Sequence, residues 1–386
     1  MDDNEIFSIK NDSEALDQNN DIDLEVPPEV IKVIGVGGAG GNALNTIIRS
    51  GITDVDFIAA NTDVAALKLS KAPIRLILGR NLTKGRGAGA DPETGRAAAE
   101  ESTDELKQKL EGSNMVFITC GMGGGTGTGA APVVAQIAKE ELKALVVAIV
   151  TTPFSWEGAK RRQRAAEGIA KLREKVDALI IVPNDRIIEL SDKSTTCTEA
   201  FKMSDEVLRQ AVAGVTGLIR KILMVNVDFA DVCTTLKDSG TAIMGVGEAQ
   251  GEGRMLAAAR AAMNGPMVTT PMNGASSVLY CIEAGEDLGV LEMNEAAELI
   301  SAAASDDANI IWGQGIDPEM GDTVRFTFIA TGFKEEAEKP ATGQASTGVF
   351  QKQDLTPSDV VSDGSHNIFE GFSGLDIPTA YRRRKK

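Results

Sequence analysis

The chain has 386 residues, 42% hydrophobic and 25% charged, with 39 Lys and Arg against 56 Asp and Glu for a net charge of −17. At about 150 residues per domain, this length allows two domains plus extended ends. Ten acids precede Val30 against Lys10 alone, and Arg382 to Lys386 are all basic, which leaves −13 on everything between. A body this acidic disfavours a nucleic-acid partner. The single histidine, His366, lies in a stretch with a linker's composition, which argues against Ser–His or Cys–His catalysis. Cys120, Cys197, Cys233 and Cys281 are dozens of residues apart. That spacing supports neither a zinc site nor a disulfide framework, and a cytoplasmic setting is expected. The opening MDDNEIFSIK lacks a signal peptide's basic and apolar regions. No apolar run approaches the roughly 18 residues of a membrane span.

Residues 1–29, acidic and ending in Pro27-Pro28, read as a disordered arm. Short β-branched runs then alternate with longer amphipathic ones. Strands are predicted near 31–34, 55–60, 74–78, 115–120, 145–151 and 178–182, and helices near 40–50, 92–110, 128–142 and 158–175. Continuous apolar strands alternating with helices imply a parallel, two-faced α/β sheet. Asp91-Pro92-Glu93 supplies an N-cap, a proline at N1 and an early acid. A long central helix, 199–222, follows this 30–198 domain. A smaller α/β domain, 223–333, has strands near 241–247, 276–283, 308–312 and 323–331, with helices near 253–263 and 293–303. Residues 334–367 read as a flexible linker, and 368–386 as a short docking peptide with a basic end.

Two glycine-rich turns carry the chemistry. The first strand runs into GVGGAGGNA, where Gly35, Gly37 and Gly40 satisfy G-x-G-x-x-G, and Asp63 lies near the end of the next strand. Alone, this fits either a dinucleotide fingerprint or a tight strand-to-helix turn. The fourth strand leads into GMGGGTGTGAAP, with six glycines in the nine positions from Gly121 to Gly129. Such a segment lets backbone N–H groups surround an anion at the positive end of the helix expected near Thr128. No G-x-x-x-x-G-K-[ST] occurs. A nicotinamide enzyme has no use for a second phosphate loop, whereas a nucleoside triphosphate does.

GGGTGTG at Gly123–Gly129, after GVGGAGGNA and before NVDFADV, resembles the signature of the tubulin/FtsZ family from about Ile31 to Phe333. The resemblance implies a tubulin-like fold: a parallel-sheet, Rossmann-like GTPase domain, a long central helix and a smaller α/β C-terminal domain. It implies phosphate contacts from Gly37, Gly38, Ala39, Gly40 and Gly41, from Gly123, Gly124, Gly125, Thr126, Gly127 and Thr128, and from a γ-phosphate-sensing loop, Gly87, Ala88, Gly89 and Ala90. Asn61, Thr62 and Asp63 match a further nucleotide-facing loop. Asp205 matches the carboxylate that accepts from guanine N1 and N2, which would reject adenine. Asn42 and Asn184 match other base contacts, and Phe201 the stacking residue. Glu157 and Arg161 match ribose and phosphate contacts. From the residues alone, Asn184 and Asp185 also read as a turn with a helix cap, Phe201 as core, and Glu157 with Arg161 as a solvated helix face.

Asn226, Asp228 and Asp231 match the family's synergy loop, which serves the nucleotide of the next subunit, so the resemblance implies a GTPase completed by head-to-tail polymerisation. There Asp231 and Asp228 would polarise water and Asn226 would position them. Mg²⁺ is expected mainly through the GTP phosphates and water, without a direct protein ligand, and K⁺ is a further candidate. Without the glycine turns, this segment would read as an acidic surface turn. Cys233 stands where the family commonly has a basic residue.

The family's role implies a filament forming the ring at a bacterial division site, with a cytoplasmic, mid-cell location. Leu375, Asp376, Ile377 and Pro378 match its end peptide, which binds membrane-tethering division proteins and regulators. Tyr381 falls one residue later than the usual aromatic, with Ala380 in its place. A linker of roughly 34 residues gives that peptide about 30 Å of reach. Arg382–Lys386 could attract anionic lipid at about 1 kcal/mol per basic residue, or act as a solubilising or bundling patch. A plasmid-segregation filament, a non-hydrolysing scaffold and a Rossmann NAD oxidoreductase are the competing readings. Trp156, beside Glu157, is expected to report nucleotide binding through its fluorescence.

Overall fold

The structure, a computed structural model, describes residues 29–333 apart from Asp54, residues 221–224, Asn226, Pro266 and Met267. The expectations for the N-terminal arm, Asn226, the linker and the end peptide lie outside the described residues.

The first half alternates strand and helix: β1 (Ile31–Val36), α1 (Gly37–Arg49), β2 (Asp56–Asn61), α2 (Val64–Leu69), β3 (Ile74–Ile77), α3 (Arg80–Thr83), α4 (Pro92–Glu101), α5 (Thr103–Leu110), β4 (Met115–Gly121), α6 (Thr126–Gln136), β5 (Leu145–Thr152), α7 (Ala159–Arg173), β6 (Ala178–Pro183) and α8 (Asp185–Glu189). The long α9 (Cys197–Arg220) and the short α10 (Phe229–Leu236) follow. They lead to β7 (Gly240–Gln250), α11 (Arg254–Met263), β8 (Ser277–Ala284), α12 (Val290–Ala303), β9 (Asn309–Ile316) and β10 (Thr323–Thr331).

The strands form one sheet in the order β3-β2-β1-β4-β5-β6-β7-β10-β8-β9. It is parallel from β3 to β7, and β10 runs antiparallel to both β7 and β8. Side chains alternate faces along each buried strand. Val33, Phe117, Val147 and Ile180 meet Leu208 and Val212 of α9 on one face, while Ile34, Ile118, Val146 and Leu179 meet Leu106 and Val134 on the other. Phe326, Phe328, Tyr280 and Ile300 form a separate core in the second half. The polypeptide leaves β1 toward β2 and β3 on one side and later fills β4 to β7 on the other. The order therefore reverses between β1 and β4, where open α/β sheets place their ligands.

Three local expectations are corrected. The helix predicted over 92–110 is two helices, because Ser102 turns out of helical geometry and its hydroxyl accepts the Gly79 N–H at 3.0 Å. The helix expected near Thr128 starts at Thr126, and a wider π turn over Ile137–Glu141 follows its α-helical part. Within NVDFADV, Phe229 to Val232 belong to α10 rather than to a loop or turn. The cap predicted at Asp91 holds, with its carboxylate accepting the N–H groups of Glu93 and Thr94.

Candidate nucleotide site

Both glycine turns emerge at the switch point, after β1 and after β4. Gly37 has φ +75° and Gly123 has φ +93°, conformations an L side chain adopts only under strain. A Cβ on Gly37 would also stand 2.9 Å from the Gly127 nitrogen, so the two turns touch. Other glycines of the second turn serve packing. A Cβ on Gly129 would collide with the Pro92 carbonyl oxygen, and one on Gly125 would sit 2.9 Å from both Ala88 Cβ and the Asp91 nitrogen. The motif thus does two jobs: it lets α4 lie directly on α6, and it leaves Gly38, Gly41 and Gly124 facing open space. The N-terminal ends of α1 and α6 point their unpaired N–H groups and positive dipole ends to this edge.

Hydroxyls tie the surrounding loops together. Thr62, after β2, lies 2.6 Å from the Thr126 hydroxyl, and its carbonyl accepts the Gly87 N–H at 3.1 Å. Thr128 accepts the Gly123 N–H at 2.8 Å. The 87–90 loop is therefore coupled through Thr62 to the second glycine turn. Gly87, Gly89 and Ala90 all have positive φ, and the loop ends on the capped start of α4. A cleft of about 220 Å³ runs from Gly37, Gly38, Gly41 and Asn42 to Asn61 and Ser70. A larger cleft of about 350 Å³ lies away from both glycine turns, between α9 and the strands β7, β8 and β10, where Arg325 pairs with Glu248 and Glu283.

The base and ribose candidates gather on the turns after β5 and β6 and at the start of α9. Glu157 lies in a short 3₁₀ turn ahead of α7, not on that helix. Its side chain is 7% exposed, and its carboxylate accepts the Phe154 N–H at 2.8 Å and pairs with Arg161 at 2.8 Å. Those bonds replace the solvated helix face that the residues alone allow. Asn184 is buried and its Oδ1 accepts the Ser204 hydroxyl at 2.7 Å, while Asp185 accepts the Ser155 N–H at 2.7 Å. Phe201 is 43% exposed rather than core. Asp205 is half-buried with no hydrogen-bond partner among the described residues. Burial pushes its carboxyl up to about 7, against the opposing pull of Arg49. Ser204 and Arg49 give no sequence signal, because a serine in a helix and a terminal arginine mean nothing until the fold sets them beside Asn184 and Asp205.

The acidic candidates lie elsewhere. Asp228 caps α10, accepting the Asp231 N–H at 2.8 Å, and Asp231 accepts the Asp228 N–H at 3.3 Å. This reciprocal capping box is what an acid-x-x-acid helix start builds. After α10, Gly240 donates to the Asp177 carbonyl just before β6 begins, whereas Asn184 follows the end of β6. From Ser204, whose hydroxyl meets Asn184, the rest of α9 carries the backbone about 24 Å to its end at Arg220.

A two-faced parallel sheet with paired glycine turns at its switch point defines a nucleotide-binding α/β protein. The family model for the Tubulin/FtsZ GTPase domain matches residues 30–192, and that for the FtsZ C-terminal domain matches residues 240–334. Among solved structures, an empty FtsZ dimer from M. jannaschii is 41% identical over 80% of this chain and 90% of that one, with a TM-score of 0.75. A GTPγS-bound CetZ2 protofilament and a GDP-bound CetZ1 monomer from Haloferax volcanii are 21% and 22% identical. They cover 79% of this chain and 94% and 95% of theirs, each with a TM-score of 0.70, and show the shared fold. The chain belongs to the tubulin/FtsZ family, and it is a GTPase. No helix among the described residues is long and apolar enough to cross a membrane.

Proposed function

We propose that this GTPase assembles head-to-tail into filaments, that each molecule hydrolyses GTP only when the next supplies Asp228 and Asp231, and that the filaments build a cytoplasmic division ring at mid-cell. The carrying observation is the separation just described: base candidates beside the N-terminal half of α9, the acidic pair beyond its C-terminal end. This separation supports a site divided between two molecules. A contact that brings one copy's acids to another's nucleotide is heterologous, and such contacts propagate rather than close.

In this reading, backbone N–H groups at the starts of α1 and α6 hold the phosphates, while Thr62, Thr126 and the 87–90 loop register the terminal one. Asp205 and Asn42 hold the guanine edge, Asn184 braces that side through Ser204, and Phe201 stacks on the ring. Glu157 and Arg161 meet the ribose and phosphates. The donors at the glycine edge are N–H groups and hydroxyls, which suits Mg²⁺ carried on the phosphates and water. When bound, that ion neutralises phosphate charge and lets an incoming carboxylate approach. Asp231 and Asp228 of the neighbouring copy then orient the attacking water, with Asn226 assigned to position them. Leu375, Asp376, Ile377, Pro378 and Tyr381 are assigned to tethering partners, and Arg382–Lys386 to anionic lipid.

Phosphate release measured across protein concentration, alongside electron microscopy with GTP and with GDP, tests the reading. Specific activity should rise steeply with assembly, and filaments should require GTP. Full activity in dilute, unassociated molecules would overturn it.

A further inference from the structure

The turn between β5 and α7 carries the ribose candidate Glu157, and its exposed aromatic side chain is Trp156. Phe154 is fully buried at the end of β5. Trp156 stacks on it, with ring centroids 4.9 Å apart and planes 14° apart. Phe201, in the first turns of α9, stands edge-on to both rings: 5.3 Å and 87° from Phe154, 6.0 Å and 81° from Trp156. Two nearly parallel rings thus fix the Phe201 ring perpendicular to themselves, the edge-to-face geometry that aromatic quadrupoles favour. The neighbours on either side of Trp156 are already tied down, Ser155 to Asp185 and Glu157 to Phe154 and Arg161. The indole nevertheless remains 56% exposed beside the half-exposed Phe201.

We infer that Trp156 is a positioning residue of the nucleotide site: it sets the angle at which Phe201 meets the guanine and walls the base on the side of the β5–α7 turn. This deepens the proposed reading and rests on Phe201 being the base platform. The aromatic contact links the ribose turn to α9 independently of the hydrogen bonds through Asn184 and Ser204. Its loss should therefore loosen nucleotide binding without removing any group that acts on the phosphates.

The test compares Trp156→Ala and Trp156→Phe with the parent, all carrying Trp312→Phe so that Trp156 is the only indole. Binding of a fluorescent GDP analogue to unassembled protein should weaken about five- to tenfold in Trp156→Ala, and Trp156→Phe should recover most of the loss. In phosphate-release assays the KM for GTP should rise while kcat at saturating GTP stays within about twofold. In the parent, GDP should change Trp156 emission. Thermal melts of nucleotide-free protein separate a folding defect from a binding one. Unchanged GDP affinity in a folded Trp156→Ala, or a fall in kcat with KM unmoved, would overturn the inference while leaving the guanine site intact. Failure of the parent to bind GDP would instead overturn the site reading itself.

Discussion

The two ends of α9 present the same side-chain type in opposite settings. In its N-terminal half, Asp205 is half-buried and lacks a hydrogen-bonding partner among the described residues, and burial pushes its carboxyl up to about 7. Beyond its far end, Asp228 and Asp231 cap each other's backbone at the head of α10, with Asp228 open to solvent. A carboxylate without a partner costs free energy until something with paired donors arrives. Two carboxylates satisfied through backbone N–H groups keep oxygens free to face outward. One carboxylate is therefore left without a partner among the described residues, while the other two are held at their own helix start.

The sharpest way to break this comparison is Asp231→Ala, which should lower GTP turnover by about a hundredfold or more while leaving GDP affinity unchanged. Mixed with the parent, it should depress activity more than dilution does, because each variant also disables a neighbour's site. Strictly proportional loss would refute the divided site. Next comes Asp205→Asn, which should weaken guanine nucleotides by about 10²-fold, since an amide cannot accept from both guanine donors. Calorimetry in buffers of different ionisation enthalpy should also show that GDP binding near pH 7 releases protons in the parent and not in this variant. The sign follows from the raised carboxyl: on the proposed contact guanine would select the ionised form, so affinity should fall as pH drops below about 7. Nucleotide-free stability moves the other way, since the folded form binds the extra proton between the ordinary carboxylate range and 7, and loses that advantage as pH rises through the window.

A smaller effect separates capping from chemistry at Asp228. Asp228→Ala should destabilise the protein by about 1 kcal/mol in denaturant titration, whereas Asp228→Asn should keep the cap. Both should lose turnover. The smallest effect belongs to Thr62→Val, where losing the hydroxyl contact with Thr126 should cost about 1 kcal/mol and loosen the 87–90 loop, read as faster amide exchange at Gly87.

Legibility followed the range of the forces involved. β4 and β5 were plain in sequence because strands buried on both faces must be apolar throughout, and the Asp91 cap was plain because its signal is local. The break at Ser102 was invisible because its cause, the Gly79 N–H, lies 23 residues away. α10 was hidden because eight residues give little periodicity and its acids suggested a turn. At the site, the glycines were legible as a motif, but their division between packing and ligand was not. Gly129 and Gly124 look alike until Pro92 is seen against one and nothing against the other. The aromatic group around Phe154 was equally silent, since Trp156 and Phe201 are 45 positions apart.

The uninterrupted α9 has a metrical consequence. It is a rod of fixed length and pitch, so inserting one residue in its middle would lengthen it by about 1.5 Å and turn one end against the other by about 100°. A polymer whose subunits meet through groups at both ends of such a rod inherits its axial repeat and handedness from it. Indels in α9 should therefore be the changes that such a filament tolerates least.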